Sequence, residues 1–110
     1  MYSISVYITS FNKGNYLSQA ITSVLNQSLR PEEIIIVDDG SSDDSRDIIN
    51  SFMNRYPDLI TAIYNEQNVG ISKSRNIALK ECRGDIVTFL DGDDIFYSNR
   101  IWSSGSPSNI

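Results

Sequence analysis

The chain has 110 residues, 40% of them hydrophobic and 21% charged, which is enough for one small domain and not for two. A net charge of -5 argues against general nucleic-acid binding, which needs a basic face, and the absence of histidine removes His-based triads and His-ligated zinc. The single cysteine, Cys82, excludes an internal disulfide and suits a reducing cytoplasm. No apolar run approaches the ~20 residues of a membrane span. The N-terminus leads straight into a strand-like segment, so no signal peptide is expected.

Apolar runs alternate with helix-period segments, the pattern of βαβ units around a parallel sheet. Residues 4–9, rich in β-branched side chains, predict a first strand. Asn12, Gly14 and Asn15 break it, and Asn15 is suited to cap the following helix. Leu17, Ala20, Ile21, Val24 and Leu25 then form one apolar helical stripe, and Pro31 follows its end. Residues 33–37 predict a second strand. Its unbroken run Ile34-Ile35-Ile36-Val37 implies burial on both faces, as in a central parallel strand.

Residues 38–44 form a polar turn in which Ser42 or Asp43 is suited to cap a second helix, with the stripe Ile48, Ile49, Phe52, Met53 and Tyr56. Residues 59–64 predict a third strand and 65–70 a loop. Residues 71–82 predict a third helix that buries Ile71, Ala78 and Cys82, with Ile77 nearby. Residues 83–85 are a turn. Residues 86–90 predict a fourth, continuously apolar strand that runs into Asp91-Gly92-Asp93-Asp94. Residues 103–110 are Ser, Gly, Pro and Asn with little apolar content and read as a disordered or foreign tail.

Parallel strands joined by right-handed crossovers bring their C-terminal ends to one sheet edge, where ligands bind in such folds. The residues delivered there are Thr9, Ser10, Phe11 and Asn12, then Asp38 and Asp39, then Asp91, Asp93 and Asp94. No basic residue adjoins these five carboxylates in sequence, and carboxylates held close repel one another. A divalent cation is the natural compensator, and oxygen ligands alone favour Mg²⁺ or Mn²⁺. Each acidic string is also ordinary turn and cap chemistry when taken alone. Both following buried-strand patterns in one α/β unit is what favours a site.

Other residues carry two readings. Lys73 suits a solvated helix face. Arg75, near a helix start, can reach a phosphate or a base. Lys13 can reach the same pocket. Phe11 is either core or a flank for a flat base, and Cys82 reads as a small packed hydrophobe. A phosphoacceptor receiver needs an acidic pair after the first strand, and a dinucleotide-binding domain needs a Gly-rich turn there; Thr9-Ser10-Phe11-Asn12 is neither.

Four segments now match one family in order and spacing: residues 5–12, residues 36–43, residues 68–76, and residues 84–94 with Asp91-Gly92-Asp93-Asp94. The chain resembles the inverting family-two glycosyltransferases of the GT-A fold across residues 4 to about 100, departing from the commoner proline at Thr9. The resemblance implies a Rossmann-like nucleotide-diphospho-sugar-binding half over residues 1–102, with a mostly parallel sheet in order 3-2-1-4. It implies that Thr9 and Asp39 hold the base, usually uracil, with Phe11 and Lys13 close by, and that Arg75 lines the base and phosphate region. Asp91 and Asp93 would be the Asp-x-Asp pair, Asp93 the direct Mn²⁺ or Mg²⁺ ligand, Asp91 nearer the ribose and Asp94 a second contact.

The implied reaction moves a sugar from a UDP-sugar to a carbohydrate or lipid-linked acceptor with inversion, in the cytoplasm or at the inner face of the membrane. The family's catalytic base lies in chain that follows the Asp-x-Asp, and no residue here is nominated for it. The alternative is a truncated module that binds nucleotide and metal without transfer. A half-domain of this kind is expected to leave an apolar face open near its fourth strand and to self-associate.

Overall fold

The computed structural model describes residues 3–27 and 30–91, with Asp91 described by its backbone alone. Seven elements alternate: β1 (Ile4–Ser10), α1 (Gly14–Leu25), β2 (Glu33–Asp38), α2 (Ser45–Arg55), β3 (Ile60–Tyr64), α3 (Ile71–Glu81) and β4 (Ile86–Asp91). The four strands are all parallel in the order β3-β2-β1-β4, as the resemblance implies.

The two central strands are buried on both faces because their apolar runs supply both. Val6, Ile8, Ile34 and Ile36 face one way, into a core with Leu17, Ala20, Ile21 and Val24 of α1 and with Ile49 and Phe52 of α2. Tyr7, Ile35 and Val37 face the other way, onto Ala78 of α3 with Ile77 and Cys82 alongside. Two helices therefore cover one face and one helix covers the other. Burying a Val, Leu or Ile side chain contributes about 1.5–3 kcal/mol, so the larger α1–α2 core dominates cohesion.

Several local expectations are corrected. Asn15 does not cap α1. The helix begins at Gly14 with Lys13 at its N-cap, and the Lys13 carbonyl accepts from the Tyr16 and Leu17 amides. The acceptor for the Gly14 N–H comes from across the sheet edge: Asp43 Oδ2 lies 3.0 Å away. Asp44, not Ser42 or Asp43, occupies the N-cap of α2. Asp43 still serves that helix, because its Oδ1 accepts from the Ser45 N–H at 2.9 Å and the Ser45 hydroxyl at 2.5 Å. One carboxylate thus satisfies donors at the starts of two helices.

Ile71, expected in the core, is 52% exposed. It opens α3, whereas Ser74 and Ala78 further along the same face are buried. The fourth strand is buried on one face only. Thr88 and Leu90 are enclosed, but Val87 and Phe89 are exposed, because α3 packs mainly over β2 and β1 and meets β4 through the Arg75 side chain over Phe89. This is the open apolar face anticipated near the fourth strand. No helix among the described residues is long and apolar enough to cross a membrane.

Candidate functional site at the C-terminal sheet edge

The parallel register fixes what meets at the edge. Thr9 is the partner of Val37 on one side and of Asp91 on the other, so the ends of β1 and β4 stand side by side. Phe11, just beyond β1, is 44% exposed, which removes the core reading and leaves it beside the edge. Asn12 adopts φ 52°, a left-handed conformation that asparagine tolerates. Its N–H donates to the Ser41 hydroxyl at 2.9 Å and its side-chain oxygen accepts from the Ser42 N–H at 2.8 Å. The loops after β1 and β2 are thereby tied together, and Lys13 is carried on the tied segment.

The two aspartates after the second apolar run have separate duties. Asp38 is fully buried and accepts from the Ser41 N–H at 3.0 Å, the Ser41 hydroxyl at 2.5 Å and Arg46 Nε at 3.4 Å. Arg46 also donates to the Asn65 carbonyl at 2.7 Å and lies over the Tyr64 ring. Asp38 is therefore a structural anchor with its own cation. Asp39 is 4% exposed, and its Oδ1 accepts from Asn65 Nδ2 at 3.0 Å and the Val69 N–H at 2.8 Å. Its Oδ2 accepts from the Gly70 N–H at 3.0 Å. Burial pushes the Asp39 carboxyl up, but the donors from Val69, Asn65, Gly70 and Ser74 outweigh it and hold the group below its ordinary value. Asp39 is thus an ionised latch that fastens the 65–70 loop at the start of α3.

This revises the picture of five mutually repelling carboxylates. Asp38 and Asp39 are compensated by Arg46 and by backbone and side-chain donors, so neither asks for a metal ion. Among the described residues no group of three or more His, Cys, Asp or Glu side chains is arranged to hold one. The cation reading rests on Asp91, Asp93 and Asp94. The Asp91 backbone ends β4 beside Thr9, while the Asp91 side chain, Asp93 and Asp94 lie outside the described residues, as does the 103–110 tail.

Arg75 sits in the second turn of α3 with its guanidinium 5.2 Å from the Phe89 ring centroid. Phe89 in turn stacks on Tyr7, its register partner, at 5.8 Å. The Arg75 Nε is buried without a hydrogen-bond partner, as is the Ser10 hydroxyl at the end of β1. Lys73 is exposed, in keeping with a solvated face. Burial, with Glu33 and Glu81 nearby, pushes the Cys82 thiol up to about 11, so it stays a protonated, inert packing group.

Sequence reasoning brought Asn12 to the edge without its ties to Ser41 and Ser42, and it did not find Arg46, Asn65 or Ser74, all of which shape the edge. Their partners lie in other loops, and no local pattern marks them. Gly40 carries a readable signal: with φ +75° a side chain is strained there, and an added Cβ would meet the Asn68 nitrogen at 2.8 Å.

The comparisons with known proteins agree with this architecture. Residues 5–102 match the family model described as Glycosyl transferase family 2. An uncharacterized glycosyltransferase of Nostoc sp. is 42% identical over 98 residues, which is 89% of this chain and 30% of that protein. The cholesterol galactosyltransferase of Borreliella burgdorferi is 40% identical over 93 residues, 84% of this chain and 25% of that protein. The crystal structure of S. aureus TarS 1-349 in complex with UDP-GlcNAc superposes with a TM-score of 0.78 at 30% identity, covering 88% of this chain and 28% of that one. The chain therefore spans under a third of the length of these relatives. With the parallel β3-β2-β1-β4 sheet and a family match over residues 5–102, the chain belongs to glycosyl transferase family 2 and has its GT-A fold.

Proposed function

We propose that this chain forms the donor-nucleotide part of a metal-dependent, inverting glycosyltransferase that takes a UDP-sugar. The observation that carries the reading is the pairing of Thr9 with Asp91 across β1 and β4, in a chain of this family. It sets the end of the first motif beside the start of the Asp-x-Asp motif. In this reading Thr9 and Asp39 recognise the base, Phe11 and Lys13 flank it, and Arg75 serves the base and diphosphate. Asp91 approaches the ribose and the cation, Asp93 is the direct ligand of Mn²⁺ or Mg²⁺, and Asp94 is a second contact. A cation there would supply Lewis-acid stabilisation of the charge that builds on the departing diphosphate.

The choice of uridine is supported by the UDP-GlcNAc complex of TarS, at 30% identity. The unpartnered Arg75 Nε supports an anionic ligand on the α3 side of the edge. The acceptor is a carbohydrate or lipid-linked hydroxyl, and the setting is the cytoplasm or the inner face of the membrane. Transfer is proposed for the protein in its complete form, and donor binding for residues 1–110. The open Val87–Phe89 face is proposed to drive self-association of this chain when it is isolated.

Calorimetric titration of the chain with UDP-GlcNAc, UDP and GDP in Mn²⁺, beside an assay for release of UDP, tests the reading. Saturable binding of UDP-GlcNAc and UDP, with GDP weaker, is the expected result. Binding without UDP release identifies the non-catalytic module. An absence of binding by all three contradicts the donor-site reading.

A further inference from the structure

Asn65, the first residue after β3, joins three separate pieces of the edge: the end of β2, α2 and α3. Its N–H donates to the Asp38 carbonyl at 2.9 Å and its carbonyl accepts from Arg46 at 2.7 Å. Its side-chain amide divides its two hydrogens between Asp39 Oδ1 at 3.0 Å and the Ser74 hydroxyl at 3.3 Å. The main-chain bonds hold the residue to β2 and α2. The side chain then spans from the Asp39 carboxylate to the first turn of α3. An amide nitrogen suits this position because it brings two donors to two acceptors; a carboxylate there would face Asp39 with like charge.

We propose that Asn65 is a positioning residue for the nucleotide base: its amide fixes the plane of the Asp39 carboxylate against α3 and so sets the acceptor that Asp39 offers to the ligand. The proposal rests on the base-site reading of Asp39 given above. The physical basis is that Oδ1 is held by Asn65 together with the Val69 N–H, while Oδ2 is held by the Gly70 N–H. Val69 and Gly70 belong to a loop that Asn65 itself begins. Without the amide, the carboxylate loses one of its two side-chain donors, and the other, the Ser74 hydroxyl, loses the Asn65 bond that holds it, so the carboxylate can turn with the loop. A hydrogen bond misdirected in this way loses most of its strength as its angle closes. The same amide keeps the first turn of α3, and with it Arg75, at a fixed distance from Asp39.

The test is a double-mutant cycle on uridine affinity, measured calorimetrically with the 110-residue chain. Asn65→Ala should weaken uridine by roughly tenfold, the scale of one hydrogen bond to a charged group. Asp39→Ala should weaken it by at least as much. The double variant should be no weaker than Asp39→Ala alone, because Asn65 acts through Asp39. A purely structural role for Asn65 gives multiplied losses instead. Asn65→Asp is the second variant; it keeps the shape and the main-chain bonds, and it should lose affinity at least as far as Asn65→Ala with circular dichroism unchanged.

Uridine affinity in Asn65→Ala and Asn65→Asp within about twofold of the parent, or losses that multiply in the double variant, overturns the positioning role. An Asp39→Ala chain that binds uridine as the parent does identifies a different failure, that of the base-site reading, and the positioning role falls with it.

Discussion

The Arg75 guanidinium lies 5.2 Å from the centroid of the Phe89 ring, yet its Nε is buried and makes no hydrogen bond. The aromatic face answers the positive charge in part, but it offers the N–H no acceptor. A diphosphate oxygen is the acceptor proposed for it. Arg75→Lys keeps the charge and removes the planar fork. It should weaken UDP by about tenfold and uridine by less than about twofold, in parallel titrations of the two ligands. Equal losses for UDP and uridine would move Arg75 from the phosphates to the base.

Gly40 holds φ +75° with no space for a side chain, since a Cβ would stand 2.8 Å from backbone atoms of Gln67 and Asn68. The Asp39–Gly40 turn and the 65–70 loop pack backbone to backbone. Gly40→Ala should therefore cost about 1–3 kcal/mol of stability, read from urea unfolding with an unchanged slope. A loss within experimental error would mean that the two loops yield freely.

Asp39 and Asp43 both hold carboxyl groups below the ordinary value of 3.8. For each, burial pushes up and the hydrogen bonds received outweigh it; Asp43 is held by the Ser45 hydroxyl and by the Gly14 and Ser45 amides. A depressed native pKa means that the unfolded chain binds more protons in this range. Their stabilisation is present above 3.8 and is lost as pH falls below it through the depressed native values. Unfolding midpoints in denaturant should fall in that acid window. The double variant Asp39→Asn/Asp43→Asn should show a flatter profile there, and an unchanged profile would mean that other groups carry the acid sensitivity.

The sheet was legible because its signal is periodic. Ile34, Ile35, Ile36 and Val37 are apolar at both parities, which demands cover on both faces, and helices supply it. The α1 stripe from Leu17 to Leu25 was legible for the same reason. Exposure at Ile71 was not, since an apolar residue reads alike whether or not a strand packs against it. The edge was half legible. Thr9, Asp39 and Asp91 follow from strands ending in polar residues. The tasks of the aspartates do not, because Arg46 reaches Asp38, and Asn65 reaches Asp39, only once α2 and β3 have folded against β2. Similarly, the Asn12–Ser42 bond joins two loops that no local pattern connects.

The central claim is that the edge beyond Thr9 and Asp91 binds a nucleoside diphosphate together with a cation. Metal and diphosphate would then bind cooperatively, and the coupling must be reciprocal. The direct measurement is the affinity for UDP and for uridine, each in EDTA and in Mn²⁺, in the parent chain and in Asp93→Asn. In the parent, UDP should bind more tightly with Mn²⁺ than in EDTA, while uridine, which lacks phosphates, should change by less than about twofold. Asp93→Asn should lose the gain from metal and keep its uridine affinity. UDP binding to the parent that is indifferent to Mn²⁺, or an Asp93→Asn chain whose UDP affinity rises by the parental factor, would contradict the claim.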